Sequence, residues 1–82
     1  MEESGPLTLP DLDPVLSVVV REHREKVVGW LRDEPGCWGF LAGQAVAASR
    51  RQAGRALTDS ERRLVWSRLW WLLENIKREV AG

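Results

Sequence analysis

Residues 58–80 carry a hydrophobic pattern with the period of an α-helix. At about 100° per residue, most apolar side chains of this segment fall within an arc of roughly 160°, which predicts a buried face. The members of this predicted face are Val65, Trp66, Leu69, Trp70, Leu72, Leu73, Ile76 and Val80. Leu64 and Trp71, seven residues apart, project from nearly the opposite side among charged residues. Because apolar groups lie on two sides, the helix is predicted to contact both a core and a second surface.

An earlier helix is predicted over residues 13–33. Asp13 suits the N-cap position and Pro14 the first helical position, where its missing N–H costs nothing. The β-branched run 18–20 leaves a short strand as an alternative, although the length of the pattern favours a helix. Glu34-Pro35-Gly36 is a helix breaker, because the residue before proline is kept out of the helical region.

The next helix is predicted over residues 37–53, ended by glycine at position 54. Its unusual feature is a ridge of small residues, formed by Gly39, Gly43 and Ala47 at successive i+4 steps. Two glycines inside a soluble helix each cost about 0.8 to 1 kcal/mol relative to alanine. We therefore expect close packing along the ridge to offset that cost.

The last helix begins with Thr58 and Glu61, the signature of a capping box. Together these elements predict an all-α fold, a three-helix antiparallel bundle over residues 13–82. Residues 1–12, which are acidic and contain two prolines, are predicted to form a flexible arm. The expected core comprises Leu16, Val20, His23, Val27, Leu31, Trp38, Leu41, Ala45, Val65, Leu69, Leu72, Leu73 and Ile76.

Five tryptophans in 82 residues are more than three short helices readily enclose. Some are therefore expected at the surface or in an interface. The composition of charged residues is balanced overall, and the formal net charge is zero. This balance argues against a protein held on nucleic acid or anionic lipid by its bulk field alone.

The arginines are nevertheless clustered near the junction of the second and third predicted helices. The cluster comprises Arg50, Arg51, Arg55, Arg62 and Arg63. Helix, short connection and helix superficially resemble a helix-turn-helix unit, so nucleic-acid binding through these residues is an alternative function. Asp59 and Glu61 weaken it, because they place negative charge in the first turn of the would-be recognition helix.

Residues suited to catalysis or metal binding are few. His23, the only histidine, lies in an apolar stripe and is interpreted as a partly buried imidazole. Cys37, the only cysteine, is interpreted as a small buried residue and excludes an internal disulfide. No enzyme activity, cofactor or metal is expected. The lack of a secretory signal or a sufficiently long apolar run favours a cytoplasmic protein without membrane association.

The favoured function is a non-enzymatic protein–protein interaction or self-association module, in a small regulatory or adaptor protein. The expected partner is a second copy of the chain, forming a homodimer. Tryptophan and arginine together are typical of association hot spots. The expected interface residues are Leu64, Trp71, Arg68, Phe40, Gly39 and Gly43.

Overall fold

The computed structural model describes residues 7–81, and within that range the chain forms four α-helices and no strand. The helices are α1 (Leu9–Glu22), α2 (Arg24–Leu31), α3 (Cys37–Ala53) and α4 (Asp59–Ala81). The all-α class is confirmed, and the four helices form one compact unit. The predicted count of three helices is wrong, because the segment predicted as one helix over residues 13–33 forms both α1 and α2.

Helix α1 begins four residues before the predicted start. The Asp11 carboxylate accepts hydrogen bonds from the backbone N–H of Thr8, at 3.0 Å, and from its hydroxyl, at 2.9 Å. Pro10 lies within the first turn, where an N–H has no intrahelical acceptor. Leu12 is fully buried, so the predicted boundary of the arm at residue 12 is wrong. Residues 1–6 of that arm lie outside the described residues.

A single residue, His23, separates α1 from α2. Its dihedral angles, φ −121° and ψ 46°, are not helical, and its backbone both ends one helix and begins the next. No proline or glycine marks this point, which is why the hydrophobic pattern missed it. Helix α2 then ends at Leu31, two residues earlier than predicted, and the chain turns through residues 32–36 with positive φ at Asp33 and Gly36.

The later helices follow the prediction closely. Helix α3 has the predicted bounds, and Gly54 ends it in the left-handed conformation with φ 72°. The capping box that begins α4 is also confirmed. Thr58 donates its N–H to Glu61 at 2.9 Å, and Glu61 donates its own N–H to the Thr58 hydroxyl at 3.1 Å. The sequence therefore marks these helix ends because the capping groups are local.

Glu61 also joins distant parts of the chain. Its nearly buried carboxylate accepts hydrogen bonds from the Arg55 guanidinium at 2.8 and 2.7 Å and from the backbone N–H of Leu7 at 3.1 Å. The Arg55 bonds, followed by those from the Thr58 and Leu7 N–H groups, hold the pKa of Glu61 well below its ordinary value. This carboxylate therefore fixes the start of α4 against both the preceding connection and the chain before α1.

The hydrophobic core lies between α1, α3 and the inner side of α4. Its buried apolar members are Leu12, Leu16, Val19, Val27, Cys37, Leu41, Ala42, Ala45, Leu57, Val65, Leu69 and Leu73. Seven expected core residues are buried: Leu16, Val27, Leu41, Ala45, Val65, Leu69 and Leu73. The other six are only half-buried: Val20, His23, Leu31, Trp38, Leu72 and Ile76.

The buried face of α4 is narrower than predicted. Its buried residues follow one i+4 row, Glu61, Val65, Leu69 and Leu73. Trp66 and Trp70 were predicted to lie on the buried face, but they are 43% and 46% exposed. The prediction is wrong for these two residues because the other helices cover only the side of α4 that carries Leu69. The adjoining side, which carries Trp66 and Trp70, stays open.

Candidate protein interaction surface

An open apolar groove lies between α3 and the exposed flank of α4. Its volume is ≈ 500 Å³. Its lining consists of Trp38, Gly39, Ala42, Gly43, Val46, Arg62 and Trp66. We call this hollow the aromatic groove. All but one of its lining residues are apolar, which is the composition of a surface that gains free energy when covered.

Trp70 extends the aromatic groove toward α2. Its ring makes edge-on contacts with the rings of Trp30, at 5.5 Å between centroids, and Trp38, at 5.3 Å. Edge-to-face pairs at such distances are favourable and hold the rings in defined positions. The surface is therefore preorganised, although Trp70 remains 46% exposed.

The glycines of α3 form an open part of the groove and do not pack against another helix of the chain. A Cβ atom built on Gly39 or Gly43 meets no atom within 4 Å among the described residues. The described part of the chain therefore does not itself supply the packing expected along this ridge, and packing against a partner stays a prediction. The space beside them is available to a side chain from outside the chain.

The sequence analysis placed Trp66 and Trp70 on the buried face, although the sequence itself indicates their exposure. On the helical wheel these two tryptophans share a sector with Asp59, Glu74 and Lys77. Charged residues before and after the tryptophans on the same side of the helix indicate that this side faces water. The breadth of the apolar arc was therefore a weaker guide to burial than the charges beside it.

A second exposed aromatic site surrounds Trp71 on the other side of α4. Trp71 is 49% exposed and lines a shallow hollow with Leu9, Leu64 and Arg68. We call this the Trp71 patch. The Arg68 guanidinium lies 3.8 Å from the centroid of the Trp71 ring, a cation–π contact. Three expected interface residues, Leu64, Arg68 and Trp71, are thus brought together.

Arg68 is also held by α1. Its guanidinium donates to the two carboxylate oxygens of Asp13 at 2.8 and 3.0 Å, and this hydrogen bonding lowers the pKa of Asp13. One face of the Trp71 ring is therefore covered by an arginine whose position is fixed within the chain. Leu64 is half-buried against the core. The Trp71 patch consequently has less uncovered apolar surface than the aromatic groove.

Phe40 lies apart from both surfaces. Its ring packs edge-on against His23, at 5.0 Å between centroids, and the Lys26 ammonium lies 5.1 Å from its centroid. The expected interface residues therefore occupy three places, with Gly39 and Gly43 in the aromatic groove. Another apolar hollow, of ≈ 470 Å³, lies between α1, α2 and the end of α4. Its lining includes Val20, Val28, Leu31, Leu72, Ile76 and Val80.

The arginine cluster is divided among three places. Arg50, Arg51 and Arg55 surround one hollow of ≈ 420 Å³ at the end of α3, whereas Arg62 lines the aromatic groove. Arg55 forms an ion pair with Glu61, and Arg62 forms one with Asp59. The remaining member, Arg63, is exposed on α4.

The other polar residues form no recognisable reaction centre in the part of the chain described. Cys37 is buried, as expected, and His23 packs against Phe40. Within residues 7–81, no three His, Cys, Asp or Glu side chains are grouped to hold a metal ion. The helices in that range also include none with the length and hydropathy needed to cross a membrane.

Comparison with protein-family models, with curated proteins and with solved structures finds no match to this chain. No relative therefore supplies a ligand or partner for the aromatic groove.

Proposed function

We propose that the chain is a non-enzymatic protein–protein interaction or self-association module, of the kind found in small regulatory or adaptor proteins. Its main binding surface is the aromatic groove together with Trp70. The Trp71 patch is a smaller, separate surface on the opposite side of α4.

The observation that carries this proposal is the exposure of Trp66 and Trp70 beside an open apolar hollow. Each leaves more than two-fifths of its surface uncovered, at 43% and 46% exposed. An indole buries a large area when it enters an interface, and tryptophan is among the residues that dominate binding free energy. Trp70 is already oriented by two ring contacts, so little conformational entropy is lost on binding.

A matched pair of substitutions tests which surface binds. Trp66→Ala and Trp71→Ala remove the same side chain from the same helix, at positions that are 43% and 49% exposed. We expect Trp66→Ala to weaken association at least about tenfold and Trp71→Ala to change it much less. Sedimentation measures self-association, and affinity capture from a cell lysate compares the proteins retained by each variant.

Both variants should keep the far-UV circular dichroism of the wild-type chain, because both side chains project from the surface. If Trp71→Ala abolishes association while Trp66→Ala leaves it intact, the Trp71 patch is the binding surface. Should neither substitution change any association, the proposed function itself is wrong.

Nucleic-acid binding by the arginine cluster has weaker support from the geometry. Arg55 and Arg62 already pair with carboxylates, and only three of the five arginines share a hollow. Such binding would weaken steeply as salt is raised. Retention of DNA or RNA at about 50 mM salt, lost in Arg50→Ala and Arg51→Ala together, would favour this alternative. A cytoplasmic location remains a prediction.

A further inference from the structure

Helix α4 carries charged and aromatic residues in a stripe along its exposed flank. Six charged or tryptophan residues form this stripe within an arc of about 120°, at about 100° per residue. In order they are Asp59, Arg62, Trp66, Trp70, Glu74 and Lys77. The stripe therefore reads acidic, basic, tryptophan, tryptophan, acidic, basic. Arg63, buried Leu73, Val80 and Ala81 fall in the same arc and are not counted in the stripe.

This order is complementary to itself when the helix is reversed. Rotation by 180° about a point midway between Trp66 and Trp70 exchanges these two tryptophans. The same rotation brings Arg62 opposite Glu74, and Asp59 opposite Lys77. Each of these four charges then faces one of opposite sign, whereas Arg63 falls opposite Leu73 and gains no such counterpart. An isologous interface requires this property, because every residue pair occurs twice.

Resting on the proposed function, we propose that the partner is a second copy of this chain, paired through antiparallel α4 helices about a two-fold axis between Trp66 and Trp70. Trp66 packs against the partner's Trp70. Arg62 pairs with the partner's Glu74, and Asp59 pairs with the partner's Lys77. A different protein would need charges complementary to this stripe, but it would not require the stripe to complement itself.

The charged groups are available for these contacts. Arg62 contacts Asp59 one turn away, an exposed ion pair of the kind that contributes little to stability. Glu74 has no ion-pair partner among residues 7–81. The Lys77 ammonium lies 5.3 Å from the Trp30 ring centroid and is exposed. Exchange of these contacts for intermolecular pairs therefore disrupts no buried network.

The aromatic groove lies directly beside this stripe. Arg62 and Trp66 belong to both, and the open surface at Gly39 and Gly43 adjoins them. An indole from the partner, displaced from the two-fold axis, has room against these glycines. The paired helices thus bury the apolar groove as well as the stripe, and the charge pairs set their register.

Charge reversal of the full chain tests this arrangement. Arg62→Glu creates two pairs of like negative charge in the dimer, because each new glutamate faces Glu74 of the other chain. Glu74→Arg creates two pairs of like positive charge in the same way. We expect each single variant to weaken dimerisation roughly tenfold or more. The double variant Arg62→Glu/Glu74→Arg restores the pairs and should dimerise as wild type does. A mixture of the two single variants should form a heterodimer.

Analytical ultracentrifugation measures the self-association constants, and native mass spectrometry resolves the heterodimer. Arg78→Glu is the matched control, since it reverses an exposed charge of α4 on the side of Trp71. It should dimerise within about twofold of wild type. Thermal melts identify any variant that fails to fold. The mixing experiment is interpreted only when both single variants are shown to be folded on their own.

Rescue by the double variant and heterodimer formation on mixing would support the proposal. A wild-type dimer unaffected by either charge reversal would overturn the antiparallel register. A wild-type chain that is monomeric at about 100 µM would overturn self-pairing. In that case, Trp66-dependent capture of another protein would still support the proposed function, so the two failures are distinguishable.

Discussion

Glycines within the helices differ in the space beside them. A Cβ atom at Gly29 of α2 would lie 2.5 Å from the Cys37 Sγ and 2.8 Å from a Glu34 carboxylate oxygen. At Gly39 and Gly43 of α3, the same atom meets nothing within 4 Å among the described residues. Gly29 thus permits the close approach of α2 to the start of α3, whereas within the described chain the other two glycines lower the stability of their helix without a compensating contact.

Alanine substitutions separate these two roles. Gly39→Ala and Gly43→Ala should each stabilise the folded monomer by about 0.5 to 1 kcal/mol, because alanine has the higher helix propensity and its methyl group meets no obstacle. Gly29→Ala should destabilise it by about 1 to 2 kcal/mol, since the buried Cys37 must move. Urea unfolding at low protein concentration measures all three. Destabilisation by Gly39→Ala would contradict the open groove.

At the scale of helices, the sequence predicts the ends of α3 and α4 but neither the ends of α1 and α2 nor the width of the buried faces. The ends of α3 and the capping box of α4 were predicted because the groups that fix them are neighbours in sequence. The Thr8 and Asp11 contacts that begin α1 are also local, but the prolines drew the prediction to Asp13. Trp66 and Trp70 required knowledge of which neighbours cover α4, and a helical wheel lacks that information.

The break between α1 and α2 shows the same limit. His23 leaves the helical conformation where it contacts Phe40 of α3, a residue 17 positions later. A contact of this range has no sequence signature. The expected interface residues are also separated in space, since Gly39 and Gly43 line the aromatic groove whereas Leu64 and Trp71 line the Trp71 patch.

The Glu61 carboxylate links three segments and should make stability depend on pH. Its folded-state pKa lies well below its ordinary value of 4.5, chiefly because of hydrogen bonds from Arg55. The unfolded chain therefore takes up a proton at a pH where the folded chain does not. The free energy of unfolding should fall as the pH falls below about 4.5.

Glu61→Gln should remove part of this pH dependence. We expect the variant to unfold at lower urea than wild type near pH 7, because a neutral amide makes weaker bonds to Arg55. The difference should shrink as the pH is lowered toward about 3. Exposed Glu79 provides the control, and Glu79→Gln should follow wild type throughout. A constant difference at every pH would contradict the assigned role of the carboxylate.

At the scale of the whole molecule, the aromatic groove and the stripe of α4 run along the long dimension of the chain. The chain measures 45 × 23 × 21 Å, and α4, with 23 residues, follows much of the longest dimension. A domain this small buries a limited fraction of its surface alone. A dimer along α4 would cover the aromatic groove, so folding and association are expected to be coupled.

This coupling predicts that the melting temperature rises with protein concentration. Binding of a second folded chain stabilises the first by mass action. Across about 1 to 500 µM, wild type should therefore melt several degrees higher at the upper end, whereas Trp66→Ala should show little change. Circular dichroism or scanning calorimetry measures this dependence, and Trp71→Ala is the matched control.

The double variant Gly39→Ala/Gly43→Ala should separate monomer stability from association. At low concentration it should melt above wild type, because both alanines favour the helix. At high concentration its advantage should shrink or reverse, because two methyl groups occupy space that the partner uses. Such a trade between stability and binding is expected where glycines are retained for a contact. An equal advantage at every concentration would show that the partner does not use this part of the groove.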